Sequence, residues 1–251
     1  MHELRFFLPG LSKIDLMFYV FLAHLGKLPG LFYIFASMFK PLLFLFLSII
    51  PILSMAQERQ VILWNKNQVA IELGKDISIS IAEKIHYSPK RSSLDSKYAE
   101  LFLGHELKQW LEYGAGFRFT SANLQNGSWL QENRPMIFIT LNKDLNKFEL
   151  DFSNRMEYRT YKELENHFRH RQAFQLKFPE LTTWGMQFFL MEETFYKLNG
   201  QRTHLARLYS GLTALDTDHV AIKVYYAFQK QKILNSWFTV DVMGLNLSFD
   251  I

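Results

Sequence analysis

The sequence predicts an all-β protein, a closed antiparallel transmembrane β-barrel of about ten strands, preceded by a helical signal segment. Three observations lead there. Apolar and polar residues alternate with a period of two in segment after segment, the connectors alternate between short and longer ones, and the chain carries an export-signal pattern near its start. Because strand edges are uncertain by several residues, eight or twelve strands are the alternatives.

Residues 1–56 are predicted to be an N-terminal extension plus signal peptide, with the signal proper at 38–56. Lys40 supplies the charged start, an apolar run follows over 42–53, and small residues precede a cleavage site between Ala56 and Gln57. The run is too short for a spanning helix, which needs roughly 20 apolar residues. A helical membrane hairpin over 16–54 is the alternative, and an upstream start codon explains the position of the signal.

Residues 57–251 are predicted to be the barrel. In 218–230, apolar side chains occupy the even positions and small or polar ones the odd positions. Successive side chains of a strand point to opposite faces, so this pattern indicates one apolar and one wet face. The predicted strands are 77–88, 96–107, 110–121, 134–142, 147–160, 166–178, 182–196, 202–214, 218–230 and 236–251. Segment 61–73 is either a further strand or an N-terminal segment packed against the barrel.

The connectors are predicted to sort by length between the two ends of the barrel. Short ones fall near 74–76, 108–109, 143–147, 179–182 and 215–218, and longer polar ones at 88–96, 121–133, 162–166, 199–202 and 229–236. Outer-membrane barrels show such sorting, whereas a soluble β-sandwich has no reason to. Loops 88–96 and 121–133 are then the expected contacts with a partner.

Composition narrows the function classes. The chain has 28 Lys and Arg against 24 Asp and Glu, too balanced for the basic patch of a nucleic-acid binder. It has no cysteine, which excludes disulfides and thiolate metal sites. Aromatic residues make up 16% of the chain and stand near predicted strand ends, where either an interfacial girdle or ordinary strand propensity accounts for them.

Six fragments in order resemble the family of outer-membrane barrels called domain of unknown function 2490. They are Tyr113–Arg118, Phe152–Arg159, Phe168–Pro179, Glu192–Tyr196, Ala206–Leu212 and Gly244–Leu247. The resemblance implies a barrel in a Gram-negative outer membrane and carries over no catalytic residues. The partners expected are therefore outer-membrane lipid and, during biogenesis, the barrel assembly machinery.

The polar positions of the alternation are rich in charged residues, and we expect these residues to line the lumen. They are Arg118, Glu149, Asp151, Arg155, Glu157, Arg159, Arg169, Arg171, Glu193, Arg207 and Lys223. One interpretation is an ion-paired lumen that fills a narrow barrel, and the other is a selectivity lining for a small solute. The ion-paired interpretation predicts contacts between arginines and carboxylates inside the lumen. The arginines are Arg118, Arg155, Arg159, Arg169 and Arg207, and their partners are Glu149, Asp151, Glu157 or Glu193.

A membrane-embedded hydrolase is the third function considered. The outer-face candidates are His105, His170, His204 and Ser210, but His204 and Ser210 stand about 20 Å apart along one strand. We therefore expect no catalytic, cofactor or metal site.

Three positions run against the alternation. Glu83, Asn154 and Gln172 fall on the apolar parity, so either a bulge shifts the parity or these residues lie near the lipid headgroups. In the final strand, the apolar residues change from even to odd positions near residue 243, which predicts a change of parity there.

Overall fold

The computed structural model describes residues 59–124, 126–199, 202–233 and 236–251. Residues Arg59–Ile251 form one compact unit. The predicted signal peptide, its cleavage between Ala56 and Gln57 and the alternative hairpin over 16–54 all lie outside the described residues.

The described chain is built from β-strands and one short 3₁₀ turn at Pro89–Arg91. The strands are β1 (Gln60–Glu72), β2 (Ile77–Ser88), β3 (Ser93–Lys108), β4 (Leu111–Leu124), β5 (Ser128–Leu145), β6 (Phe148–Tyr161), β7 (His167–Lys177), β8 (Gln187–Lys197), β9 (Arg202–Asp216), β10 (Val220–Ile233) and β11 (Ser236–Asp250).

The strands close into a barrel in which each strand pairs with its sequence neighbours and β1 pairs with β11. The closed barrel is confirmed, but two details of the prediction are wrong. There are eleven strands, because 61–73 is a full member of the wall (β1). The barrel is also not wholly antiparallel: β1 and β11 run parallel, from Gln60 beside Val240 to Ala70 beside Asp250. An odd number of strands that alternate in direction leaves the first and last pointing the same way.

The connections do not sort by length as the sequence suggested. We call the end of the barrel with connections 73–76, 109–110 and 146–147 the lower end, and the end with 89–92 and 162–166 the upper end. The lower end also holds 178–186, which is longer than either upper connection named here and was expected to be short. The turn of this connection towards β8 contains Gly185, whose φ of +74° favours glycine.

The predicted partner loops are also largely strand. β4 continues to Leu124 and β5 starts at Ser128, so most of 121–133 is paired backbone. Ser121 and Gln131 face each other across these strands, and the Ser121 hydroxyl donates to the Gln131 side chain at 2.9 Å. Polar side chains that pair across strands gave this segment the composition of a loop.

The outer face of the barrel is apolar. In the middle of their strands, Ile81, Ile137 and Leu208 are 60%, 63% and 57% exposed. Leu101, Leu103, Phe117, Phe119, Ile139 and Val224 continue this surface on neighbouring strands. A monomeric soluble protein rarely exposes so much contiguous apolar area.

The residues that run against the alternation keep their places on the outer face, where two of them contact polar side chains of the neighbouring strand. Glu83 accepts a hydrogen bond from the Asn67 amide at 3.0 Å, and Asn154 lies 3.1 Å from the His170 ring. No register shift separates either pair from its surroundings, so the suggested bulges are absent from these strand pairs. The final strand does not change parity either, because Val240 and Val242 face inward.

The interior holds a small apolar cluster and several close approaches of rings to glycine. Trp64, Phe189, Tyr209, Ala227, Val240 and Val242 form the cluster. In the lower half, the ring of Tyr225 occupies the space where a side chain at Gly244 would stand. Rings lying over glycines fill the lower half where charged side chains are fewer.

Candidate functional site

The upper half of the lumen is organised around shared glutamates. Glu157 is fully buried, and Arg169 donates to it at 2.8 Å. Arg134 and Arg155 approach the same carboxylate at 3.5 and 3.9 Å. Pairing β5, β6 and β7 in register places these side chains side by side, with Glu157 directly opposite Arg169. One carboxylate therefore links three strands.

Two more glutamates repeat this arrangement. Glu132 receives a bidentate contact from Arg159, at 2.8 and 2.7 Å, and a further bond from Arg134 at 2.7 Å. Glu193 is 1% exposed and accepts from Arg171, from Arg207 at 2.7 Å and from the Tyr209 hydroxyl at 2.9 Å.

A fourth glutamate, Glu100, pairs with Arg118 alone. Across the described lumen, seven arginines thus share four glutamates. The arginines are Arg118, Arg134, Arg155, Arg159, Arg169, Arg171 and Arg207, and the glutamates are Glu100, Glu132, Glu157 and Glu193. Arginine suits this role because its planar fork binds carboxylates at two points. The network leaves an excess of positive charge in a confined space.

A separate ion pair lies near the lower opening. Lys177 contacts Glu149 at 2.8 Å and Asp151 at 3.4 Å, and these side chains are considerably more exposed than those of the glutamate network. The two acidic residues predicted for the lumen network therefore bind a lysine at the rim instead of the arginines above.

Three lysines form a row on the opposite wall. Lys84 stands directly across from Lys66, Lys66 from Asn246, and Asn246 from Lys223, over the neighbouring strands β2, β1, β11 and β10. Lys66 donates to Gln68 at 2.7 Å, and the Lys84 ammonium lies 3.8 Å from the centre of the Trp64 ring. In the described chain, no carboxylate lies within 4.0 Å of any of the three ammonium groups.

Two cavities in the lumen are lined by described residues. The upper one, of about 510 Å³, is lined by Glu132, Glu157 and Glu193 and by arginines that bind them, together with Trp64, His86 and His204. The lower one, of about 260 Å³, is lined by the lysine row and by aromatic rings. Lys84, Tyr98, Arg118, Arg171 and Tyr209 border both cavities.

The histidines and serines do not assemble the predicted kind of hydrolase site. His105 lies 2.9 Å from the Tyr113 hydroxyl, and His170 contacts Asn154. His204 is not on the outer face: a register shift beside it turns its ring to the upper cavity, where it packs against Phe195. Ser210 faces Leu190 and Tyr226 across the neighbouring strands.

A serine–histidine contact that the sequence analysis missed lies inside the lumen. Ser96 Oγ is 2.8 Å from His86 Nδ1, and the His86 ring stacks on Trp64. The other ring nitrogen, Nε2, is buried without a hydrogen-bond partner. A catalytic histidine usually has that nitrogen held by a third group, which orients the ring. The contact fits a packing role.

Within the described residues, no group of three or more His, Cys, Asp or Glu side chains could hold a metal ion. The same residues contain no helix long and apolar enough to cross a membrane.

The structure places all the arginines of the predicted lumen set inside the barrel, but with partly different partners. Arg155 and Arg169 meet Glu157, and Arg207 meets Glu193, whereas Arg118 and Arg159 meet Glu100 and Glu132. Glu132 was absent from the predicted set because it lies in a predicted loop, 121–133. Lys66 was absent because 61–73 was left open between a further strand and a segment packed against the barrel. The parity of 96–107 could have found Glu100.

A family model described as "Protein of unknown function (DUF2490)" matches residues 62–238. The chain belongs to the DUF2490 family. The match extends from β1 into β11, so it covers nearly the whole barrel. No curated protein and no solved structure matches the chain significantly.

Proposed function

We propose that residues 57–251 form a barrel of the outer membrane that acts as a structural or binding protein and has no catalytic site. The observation that carries this proposal is the outer face, where large apolar side chains stay exposed around the wall. In a bilayer this face contacts lipid, and the closed wall pairs its backbone groups between strands, as lipid requires. Every strand has at least the 11 residues of β7 and β8, enough for a tilted crossing.

Tryptophans at both ends of the barrel also support its placement across a membrane. Trp110 and Trp184 lie in lower connections and are 54% and 52% exposed, while Trp129 and Trp237 stand near the upper end. Tryptophan is enriched at both interfaces of a membrane, where its ring meets the headgroups.

Two arginine substitutions on one strand test this placement. Ile137→Arg puts a charge in the middle of the outer face of β5, and Leu145→Arg puts one on the same face beside the lower turn. We expect Ile137→Arg to lower the free energy of unfolding in lipid vesicles by about 2–4 kcal/mol and Leu145→Arg by about 0–1 kcal/mol. Urea titrations, followed by the different gel migration of folded and boiled protein, measure both. Equal and small effects would show that Ile137 faces water.

Export through the signal at 38–56 belongs to this proposal. Cleavage after Ala56 would give a mature chain starting at Gln57, delivered to the barrel assembly machinery. Mass spectrometry of the N-terminus of protein purified from outer membranes tests it, and peptides from 1–37 in that protein would exclude cleavage.

A narrow channel for small solutes is the second candidate, favoured by the two cavities that share lining residues. The shared ion pairs oppose free passage, since they fix inward-facing side chains of neighbouring strands in the lumen. Planar-bilayer recordings separate the two functions. We expect no stable single-channel steps, and regular steps would favour the channel.

A further inference from the structure

We propose that the lower cavity is a binding site for a small multivalent oxyanion of the phosphate class, either inorganic phosphate or a small phosphomonoester. This deepens the proposed binding barrel and rests on it only in taking the lumen as the functional surface. The inference depends on three features of the described residues: like-charge neighbours, lysines without a carboxylate partner and a buried arginine donor without a hydrogen bond.

Like charges face each other on both sides of the cavity. Lys66 stands directly opposite Lys84 on one wall, and Arg155 directly opposite Arg171 on the other. Like charges in such positions destabilise a sheet. A ligand that brings negative charge between the two walls removes this repulsion.

The carboxylates in reach do not neutralise this part of the lumen. Among the described residues lining the cavity, Glu100 is the one carboxylate, and Arg118 already binds it. The cations that line the same space are Lys66, Lys84, Arg118, Arg155, Arg171 and Lys223. Glu193 binds Arg171 and Glu157 lies 3.9 Å from Arg155, so among these described cations it is the three lysines that have no carboxylate within 4.0 Å. Glu149 and Asp151, towards the lower rim, bind Lys177. Several buried charges of one sign are costly unless a counter-charge is present.

One donor of the lining also lacks a partner: Arg155 Nε is buried without a hydrogen bond, and Arg155 lines the cavity. Asn246 Oδ1, also buried without a partner, is an acceptor, so it can bind only the hydroxyl of a hydrogen phosphate. The Arg155 guanidinium lies over the Phe102 ring, 4.9 Å from its centre, so an aromatic contact holds it in place. A buried donor without a partner loses free energy that a bound acceptor would restore.

These features select the chemical class. Three lysines and an arginine donor suit an anion with several oxygens and more than one negative charge, because charge-assisted hydrogen bonds to such oxygens are strong. The cavity of about 260 Å³ has room beside such a group, and Tyr98, Phe189 and Tyr225 would flank a small organic part. Because the barrel wall encloses the site, the expected ligand is a soluble anion and not the headgroup of a bilayer lipid.

Calorimetric titration of the detergent-solubilised barrel with inorganic phosphate tests the site. We expect saturable binding that sulfate displaces and that chloride at the same ionic strength does not. Lys66→Met and Lys223→Met should each weaken phosphate binding at least about tenfold. Each replaces lysine with a side chain of similar length and removes the charged donor. Lys143→Met is the matched control: Lys143 is exposed on the side of β5 opposite to the lumen, and phosphate binding should stay within about twofold.

Thermal unfolding separates a binding role from a structural one. Lys66→Met should keep or raise the Tm in phosphate-free buffer, because it removes the repulsion with Lys84, and should lose the rise in Tm that phosphate gives the wild type. A purely structural lysine would instead lower the Tm in both buffers. If Lys66→Met does not fold, Lys223→Met and the wild-type phosphate dependence carry the same test.

Three results would overturn the inference. They are no phosphate binding by the wild type, equal affinity in the lumen variants and the control, and binding of dihexanoyl phosphatidic acid in place of free phosphate. A wild type that binds no phosphate, together with an Ile137→Arg variant that is destabilised in vesicles, refutes the anion site and leaves the membrane barrel intact.

Discussion

The upper and lower halves of the lumen differ in how the charges of their inward-facing side chains are balanced. Both are lined by alternate residues of the same strands, and both contain several arginines or lysines. In the upper half, Glu132, Glu157 and Glu193 each accept from two or more groups. In the lower half, Lys66 faces Lys84 and Lys223 stands beyond Asn246 in the same row, all three without such a partner. The alternation that builds the wall therefore sets which side chains face inward, but not whether their charges cancel.

This difference indicates that the two halves of the lumen have different roles. Shared carboxylates connect neighbouring strands and brace the upper half, while the lower half keeps positive charge and open volume available. Retaining unneutralised charge costs stability, so we expect it where a ligand makes use of it.

The largest expected effect is the loss of a shared carboxylate. Glu157→Gln keeps the size of the side chain but leaves Arg134, Arg155 and Arg169 without their common partner. We expect the free energy of unfolding to fall by about 3–5 kcal/mol, as for other broken buried ion pairs. Urea titration of the folded gel species in vesicles measures it.

Two controls sharpen this comparison between the halves. Glu149→Gln, at the lower rim where the side chain is 41% exposed, should cost under about 1 kcal/mol. The double variant with Glu157→Gln and Arg169→Met should lose less than Glu157→Gln alone, because it leaves fewer buried charges unpaired. Similar losses at Glu157 and Glu149 would contradict the bracing role of the upper half.

A smaller effect is expected where rings pack over glycine in the lower half. Gly244→Ala places a methyl group in the space of the Tyr225 ring, and overpacking of this kind costs about 1–3 kcal/mol. In Gly104→Ala the new methyl meets the ends of the Glu112 and Ser78 side chains, which can move aside. Thermal unfolding with near-ultraviolet circular dichroism compares them. A Gly104 variant as unstable as the Gly244 variant would show that these rings do not set the packing.

Periodicity predicted much of this molecule because a strand in a two-faced wall obeys one strict rule. Arg155, Arg159, Arg169 and Arg171 could be assigned to the lumen from parity alone. The eleventh strand was left open between a strand and a packed segment; Asn65 and Asn67 interrupt the outer apolar face of β1, where they contact polar neighbours. Strand ends were misjudged where polar side chains pair across strands, as at Ser121 and Gln131.

Ion-pair partners could not be predicted from parity, since they depend on register. The stagger between β3 and β4 sets Glu100 opposite Arg118, and that between β6 and β7 sets Glu157 opposite Arg169. The lysine row has the same origin: its members lie far apart in the sequence, and the parallel pairing of β1 with β11 brings Lys66 level with Asn246.

The smallest effect is expected at the lower rim. Lys177→Gln removes the contacts with Glu149 and Asp151, whose side chains are 41% and 26% exposed and therefore keep much of their hydration. We expect a loss of under about 1 kcal/mol at low salt, as for other exposed pairs. The loss should shrink further at 1 M salt, where the screening length falls to about 3 Å. Parallel urea titrations at low and high salt measure this. Because the glutamates of the upper half are buried, Glu157→Gln should lose nearly the same stability at both salt concentrations. If the Lys177 variant instead shows a large loss that salt does not reduce, the rim pair braces the barrel as the upper network does, and the two halves differ less than their geometry implies.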